Sequence, residues 1–385
     1  MLVYLDNCST TKPRDEVIDE INYMLKESYG NPSSLHSLGL KTEKRIEDSR
    51  KIIADFLNVR KDEIFFTSGG TESNNIAIQG LVNRYKRKGN HLITTKVEHS
   101  SIFNIFKYYE NHGFEVTFLD VDDKGNVDLE QLKNEIRKDT ILVSIMVVNN
   151  ELGAIEPVNE IRKIMEEKNS KALLHLDGVQ AFGKIPINIR KWKVDTFAFS
   201  AHKIYGPKGI GGLYVKKEIN INPLVYGGQQ ERGLRSGTEN TPGIVGMAKA
   251  VEIMGEKFEE ERKHVYKLKT YFAEKILKEI EDIKINTSLD EGTSPYILNV
   301  SFLYTKGEVL LHYLEDKGIY VSTASACSSN AEDKSHVLKA IGLNENEIEG
   351  AIRFCFSYEN TYKELDYTVE VLKRSVDEIR QIVKR

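Results

Sequence analysis

Short apolar segments alternate with amphipathic segments over residues 63–200, and this alternation limits the possible folds more than any other feature. The apolar segments are rich in β-branched and aromatic residues, which is typical of buried strands. The segments between them carry apolar residues at helical spacing. Alternating strands and helices predict an α/β fold with a mostly parallel sheet covered by helices. The predicted strands are 63–68, 91–96, 115–121, 141–148, 172–177 and 196–200, and the predicted helices are 40–57, 73–88, 99–112, 128–137 and 158–168.

The pattern changes near residue 256, which indicates a second, smaller domain. A chain of 385 residues also exceeds the size at which a single hydrophobic core stops growing. We therefore predict a large α/β domain over 13–255 and a small α+β domain formed by 1–12 and 256–385. The elements predicted in the small domain are helices at 256–282, 307–317 and 364–383 and strands at 297–302, 319–323 and 351–357.

Charge and composition argue against several classes of protein. The chain has 54 basic and 58 acidic residues and a net charge of −4, with no basic tract, so no direct nucleic-acid partner is predicted. No apolar run reaches the ~20 residues of a membrane-spanning helix, and the first residues lack the pattern of a secretion signal. We expect no membrane partner and a cytoplasmic location. The three widely spaced cysteines predict neither a disulfide framework nor a zinc site.

Polar residues follow five of the predicted strands, at the point where each strand ends. In open α/β sheets, ligands bind outside the carboxyl ends of the strands, so these residues are expected to converge. Each one also has a structural explanation, such as a helix cap or a turn. Together they supply an anion cradle, an imidazole, an amide, an acid and a lysine, which favours a ligand site. They are Gly70 and Thr71, then His99, Asn150, Asp177 and Gln180, and finally Ser200, His202 and Lys203.

Lys203 lies where a strand ends and a glycine-rich turn begins. An amine in this place can form a Schiff base with a carbonyl cofactor, although most lysines are surface residues. The turn itself, GPKGIGG at 206–212, lacks the spacing of a P-loop. The nearby histidines are not at metal-ligand spacing, so no metal site is predicted.

Cys327 is surrounded by small polar residues, which favours an accessible thiol. Cys355 lies among large apolar residues and is predicted to be structural, while Cys8 lies in a polar turn and is left undecided. Arg353 stands in an otherwise apolar strand and needs a partner. A substrate carboxylate and an internal salt bridge both satisfy that need.

These motifs together resemble the cysteine desulfurases of the NifS/IscS type, which are fold-type-I enzymes dependent on pyridoxal 5′-phosphate. The resemblance covers nearly the whole chain. Two sites depart from the family pattern: Ala324 stands where glycine is usual, and Cys8 stands where a small residue is expected. The motifs that carry the resemblance are YLDNCSTT, GNPSSLH, FTSGGTESNN, VEHSS, VNNELG, LDGVQAFGK, SAHKIYGPKGIGGLYV, GGQQERGLRSGT, ILNVSF, SACSS and IRFCFS.

The resemblance implies a pyridoxal-phosphate site at the strand ends, in the large domain. Lys203 binds the cofactor covalently and removes the α-proton of the substrate. His99 stacks on the ring and helps to move protons, and Asp177 pairs with the ring nitrogen. The other implied contacts are Gln180 and Asn150 at the phenolic oxygen, and Gly70, Thr71, Ser200 and His202 at the phosphate, with Thr238 supplied by the second subunit of a homodimer.

The implied reaction removes sulfur from L-cysteine, gives alanine and leaves a persulfide on Cys327. Arg353, helped by Asn31, holds the substrate carboxylate. The sulfur acceptor implied by the family is either a scaffold protein for iron–sulfur clusters or a sulfurtransferase for tRNA or thiamin thiolation. An aminotransferase, a selenocysteine lyase and a non-catalytic dimeric partner are the alternatives. Cys327 argues against the first, and the intact lysine, acid and imidazole argue against the last.

Overall fold

The computed structural model describes residues 1–323 and 334–383 of the chain. The strands are β1 (Val3–Tyr4), β2 (Ile64–Thr67), β3 (His91–Thr95), β4 (Glu115–Leu119), β5 (Thr140–Met146), β6 (Leu173–Asp177), β7 (Thr196–Ser200), β8 (Gly211–Val215), β9 (Ile283–Ile285), β10 (Ile297–Phe302), β11 (Ile319–Tyr320), β12 (Ser322–Thr323) and β13 (Ala351–Cys355). The α-helices are α1 (Asp15–Lys26), α2 (Ser37–Leu57), α3 (Gly70–Tyr85), α4 (Ser100–Glu110), α5 (Leu129–Glu135), α6 (Val158–Glu167), α7 (Thr241–Glu279), α8 (Gly307–Asp316), α9 (His336–Ala340), α10 (Glu345–Glu349) and α11 (Tyr362–Val383).

A seven-stranded sheet with the order β2-β8-β7-β6-β5-β3-β4 forms the centre of the fold. The pairs β3–β4, β3–β5, β5–β6 and β6–β7 are parallel, whereas β8 is antiparallel to both β7 and β2. All residues of β5 and β7 are buried, as expected for strands with helices on both faces. The predicted α/β fold with a mostly parallel sheet is confirmed.

Strand β8 is absent from the sequence prediction because it begins inside the glycine-rich turn. A Cβ atom on Gly212 would lie 2.3 Å from the Phe199 ring of the neighbouring strand, so glycine is required there. Because the two strands pack so closely, glycine replaces a larger side chain at this position. The alternating pattern that would have indicated a strand is therefore missing.

The carboxyl-terminal part of the chain forms a second, antiparallel sheet with the order β12-β13-β10-β9. Strand β1 pairs in parallel with β11, so the amino terminus lies against this part of the chain. Helix α7, however, continues without a break through residue 256. Its first half is apolar and buried up to Met254, and charged residues follow. The change near 256 thus reflects a change in packing within one helix, and the domain boundary stays a prediction.

A buried ion pair fixes the segment that precedes α7. Arg50 of α2 donates two hydrogen bonds to Glu231, at 2.8 and 2.9 Å, and a third to the carbonyl oxygen of Ile64. Replacing Arg50 with methionine leaves the Glu231 carboxylate buried without its cation. We expect the free energy of unfolding, measured by urea denaturation, to fall by about 3–5 kcal/mol.

The matched control is Arg60→Met, because Arg60 forms its ion pair with Asp62 on the exposed surface. This change is expected to cost less than about 1 kcal/mol. An equal loss of stability in the two variants would contradict the role given to the Arg50 pair.

Candidate active site

A cavity of about 330 Å³ opens at the carboxyl ends of the central strands. It brings together the groups predicted after five different strands, together with Arg353 from β13. Its lining residues are Cys8, Ser9, Gly70, Thr71, Asn74, His99, Ser101, Met146, Asn150, Asp177, Val179, Gln180, Ser200, His202, Lys203 and Arg353.

Two of the predicted site residues that the structure describes, Asn31 and Thr238, are not part of this cavity lining. Asn31 is exposed before α2, where its Oδ1 accepts a hydrogen bond from the backbone N–H of Ser33. Thr238 is exposed before α7 and lines a separate, smaller cavity. Cys327 lies outside the described residues, as does Ala324. The roles given to these residues stay predictions.

The amine of Lys203 is held by the amino-terminal segment. Lys203 follows β7 in a short 3-10 turn, and its Nζ donates to the carbonyl oxygens of Cys8 at 2.6 Å and Ser9 at 2.7 Å. The Gln180 amide also donates to the Cys8 carbonyl, at 2.9 Å. Residues next to β1 therefore orient the lysine at the end of the large sheet.

Asp177 ends β6 and is 4% exposed. A buried carboxylate is costly unless it is hydrogen-bonded. Here Oδ1 accepts from the backbone N–H of Val179 and Oδ2 accepts from Nδ2 of Asn74, both at 2.9 Å. These two bonds fix the carboxylate at the cavity wall. There it can also accept a hydrogen bond from a donor such as a pyridinium nitrogen.

His99 is the N-cap of α4 and lines the same cavity. Its Nδ1 accepts from the backbone N–H of Ser101 at 3.1 Å and contacts the Ser101 hydroxyl at 2.9 Å. Burial lowers the pKa of His99, although nearby Asp177 acts in the opposite direction. The ring is therefore favoured in its neutral form.

The residues at one end of the cavity fit a phosphate group. Helix α3 begins at Gly70, and the first N–H groups of a helix attract anions. Among the described residues, the buried hydroxyl of Ser200 has no hydrogen-bond partner. Burial also lowers the pKa of His202 to about 4. An open helix start, an unpaired hydroxyl and an imidazole are suitable donors for the phosphate of pyridoxal phosphate.

Arg353 forms an internal salt bridge with Asp6 and also lines the cavity. Its Nη2 lies 3.2 Å from Oδ1 of Asp6 and donates to the Ser9 hydroxyl at 2.8 Å, while Nη1 donates to the Asn150 carbonyl at 2.9 Å. The guanidinium is thus fixed in one orientation, and it still lines the cavity.

Cys8, which the sequence left undecided, is a buried residue of the cavity lining. Burial raises the pKa of its thiol, but a hydrogen bond with Cys355 and the charges of Lys184, Arg353 and Lys203 outweigh that effect and lower it to about 6. Cys355 is fully buried, as expected for a structural cysteine. The site therefore contains a thiol that the motif analysis did not assign.

Five further residues of the lining are absent from the predicted site: Ser9, Asn74, Ser101, Met146 and Val179. Asn74 does have a signal in the sequence, since it precedes Ile78 and Leu81 at helical spacing on the buried face of α3. A polar residue at a buried helical position needs a polar partner. That partner, Asp177, is 103 residues away in the sequence.

Comparisons with known proteins identify the family of this chain. Residues 3–368 match the model of the family described as aminotransferase class-V. The chain belongs to this family. It is 45% identical to a protein named cysteine desulfurase IscS from Dictyoglomus turgidum, over 99% of this chain and 96% of the relative. A relative of the same name from Methanosarcina thermophila is 42% identical over 99% of this chain and 93% of the relative.

Solved structures of the family agree with the fold. A NifS-like protein superposes with a TM-score of 0.93 at 40% identity, covering 98% of this chain and 100% of that one. A structure titled SspA in complex with cysteine superposes with a TM-score of 0.82 at 34% identity, covering 93% and 100%. The predicted resemblance to cysteine desulfurases is confirmed. The predicted cofactor is also confirmed, because the family depends on pyridoxal phosphate.

No helix within 1–323 and 334–383 has the length and apolar character needed to cross a membrane. In the same residues, no cluster of three or more histidine, cysteine or acidic side chains is arranged to hold a metal ion.

Proposed function

We propose that this protein is a cysteine desulfurase in which the strand-end cavity binds pyridoxal phosphate and L-cysteine and Cys327 receives the sulfur. The observation that carries the proposal is the convergence of Lys203, Asp177, His99 and Arg353 on one cavity. A lysine, an acid for a ring nitrogen, an imidazole and a carboxylate-binding arginine form a complete set for amino-acid chemistry.

The cofactor, when bound, supplies an electron sink that stabilises negative charge at the α-carbon of an amino acid. Asp177 holds the proton of the ring nitrogen, since its carboxylate is already oriented by two donors. Ser200, Thr71 and the start of α3 bind the phosphate. These residues would hold the cofactor at the cavity end that Lys203 lines.

Lys203 would act as the base that takes the α-proton of the substrate. The carbonyl oxygens of Cys8 and Ser9 are placed to hold the protonated amine. His99 would donate or accept protons at the substrate, and its neutral ring would lie against the bound cofactor. Arg353 fixes the substrate by its carboxylate.

The sulfur moves by attack of the Cys327 thiolate on the sulfur of L-cysteine. An S–S bond forms and the C–S bond breaks, while the carbon keeps the electron pair and takes a proton. The products are alanine and a persulfide on Cys327, so the reaction needs no external oxidant. A thiolate is required because the thiol is a weak nucleophile.

The partners beyond L-cysteine follow from the same proposal. In a homodimer, Thr238 of one subunit would complete the phosphate site of the other. The persulfide would then pass to a scaffold protein for iron–sulfur clusters or to a sulfurtransferase for tRNA or thiamin thiolation. A structure of the relative SspA with cysteine supports the substrate. A cytoplasmic location also remains part of the proposal.

The test of this function is the incubation of the cofactor-loaded protein with L-cysteine and a thiol reductant. Alanine and sulfide are expected in equal amounts. Amino transfer to a 2-oxo acid without release of sulfide would instead indicate an aminotransferase. A strong preference for selenocysteine over cysteine would indicate a selenocysteine lyase. Failure to bind pyridoxal phosphate would contradict the enzyme assignment altogether.

Replacing Arg353 with lysine is expected to raise the KM for L-cysteine about 10- to 100-fold. Lysine keeps the positive charge but loses the paired N–H donors that fit a carboxylate. Steady-state kinetics with the cofactor content measured in parallel checks this result. An unchanged KM would contradict the role of Arg353 in binding the substrate carboxylate.

A further inference from the structure

A chain of buried polar side chains lies behind the cavity, and Asn74 of α3 is at its centre. Asn74 is fully buried. Its Nδ2 donates to Oδ2 of Asp177 and to Oγ of Ser101, both at 2.9 Å, and its Oδ1 lies 3.1 Å from Nε2 of His175. Ser101 in turn contacts Nδ1 of His99. One amide thus connects the acid and the imidazole of the site.

The orientation of the Asn74 amide follows from its neighbours. Turning the amide over would place Oδ1 against the Asp177 carboxylate, so two acceptors would face each other at hydrogen-bond distance. In the observed orientation, each atom of the amide meets a complementary group. Because Oδ1 can only accept, Nε2 of His175 must carry a proton.

The other nitrogen of His175 has a suitable donor. Its Nδ1 lies 2.8 Å from the hydroxyl of Thr196, which can donate to it. Burial lowers the pKa of His175 to about 3, which agrees with a single proton on a neutral ring. His175 is therefore a fixed donor to Asn74.

The proton on His99 follows from the same reasoning. The Ser101 hydroxyl accepts from Asn74, so its one proton is available to Nδ1 of His99 at 2.9 Å. The backbone N–H of Ser101 donates to the same nitrogen at 3.1 Å. A nitrogen that accepts two hydrogen bonds carries no proton, so the neutral ring of His99 is protonated on Nε2.

We propose that Asn74 is a positioning residue that fixes the Asp177 carboxylate and, through Ser101, places the proton of His99 on Nε2. Residues that orient the groups in contact with a ligand are commonly as important as those groups for binding. The role toward the cofactor rests on the proposed function. The hydrogen-bond chain itself is made of protein atoms and can be tested without the cofactor.

The first test compares cofactor binding in Asn74→Ala and Asn75→Ala. We expect Asn74→Ala to raise the dissociation constant of pyridoxal phosphate about tenfold, since Asp177 loses one of its two donors. Asn75 is the matched control because its amide donates to the Thr71 carbonyl of the same helix and takes no part in the hydrogen-bond chain around Asn74. Asn75→Ala is expected to stay within about twofold of the unmodified protein.

The second test reads the ring protons directly, from the imidazole nitrogen shifts in NMR spectra of the cofactor-free protein. His99 and His175 are both expected to be protonated on Nε2. In Ser101→Ala, part of the His99 proton should move to Nδ1 because the hydroxyl donor is gone. Ser101 is only half-buried, so this variant is expected to fold.

The outcomes separate the inference from the proposed function. Nδ1 protonation of His99 or His175 in the unmodified protein would overturn the hydrogen-bond chain, whether or not the protein binds the cofactor. Normal cofactor affinity in a folded Asn74→Ala variant would overturn the positioning role alone. If Asn74→Ala does not fold, the nitrogen shifts of His99 and His175 in the unmodified protein and in Ser101→Ala still test the hydrogen-bond chain.

Discussion

Replacing Lys203 with alanine is expected to abolish desulfurase activity and the visible absorption band of the lysine-bound cofactor together. The substitution removes both the covalent attachment and the base for the α-proton. A positioned general base alone contributes about 10²- to 10⁴-fold, so we expect the rate to fall by at least about 10³-fold. Sulfide release and the absorption spectrum, measured on the same sample, check this result.

The control for this variant is Lys208→Ala, because Lys208 is exposed in the turn that follows Lys203. It is expected to keep both the band and the activity. If Lys203→Ala kept the band, the cofactor would be bound to another amine and the proposed geometry of the site would be wrong.

Replacing Cys327 with alanine is expected to keep the absorption band and to reduce sulfide release by at least about 10³-fold. Without the thiolate, the sulfur of L-cysteine has no acceptor on the protein, while Lys203 and Asp177 still bind the cofactor. The measurement is sulfide release, combined with mass spectrometry for a persulfide on the peptide that contains residue 327.

Cys8→Ala is the decisive control, because the thiol of Cys8 lies in the cavity and its lowered pKa of about 6 favours the thiolate. We expect this variant to keep most of the activity. The contact with Lys203 comes from the backbone carbonyl of Cys8, which the substitution preserves. Loss of sulfide release in Cys8→Ala, with normal release in Cys327→Ala, would transfer the role of nucleophile to Cys8.

The sequence alone was sufficient to predict the parallel part of the sheet and most of the groups around the cavity. Five strands that end in polar residues must bring those residues to one edge, so their approach follows from the pattern itself. Lys203 and Asp177, which are 26 residues apart, were found in this way. Arg353 was found because a charge in an apolar strand requires a partner.

Other contacts depend on which elements become neighbours in three dimensions. The hydrogen bond from Asn74 to Asp177 requires α3 to lie against β6, and no local pattern contains that information. The contact of Cys8 with Lys203 likewise depends on where the amino-terminal segment crosses the sheet edge. Strand β8 was missed for a different reason, since close packing required glycine where a strand signal was expected.

The most direct test of the central claim is to reduce the cofactor-loaded protein with borohydride and locate the trapped pyridoxyl group by peptide mass spectrometry. The account predicts a single modification, on Lys203. A modification on another lysine, such as the buried Lys184 or the exposed Lys208, or no modification at all, would contradict it.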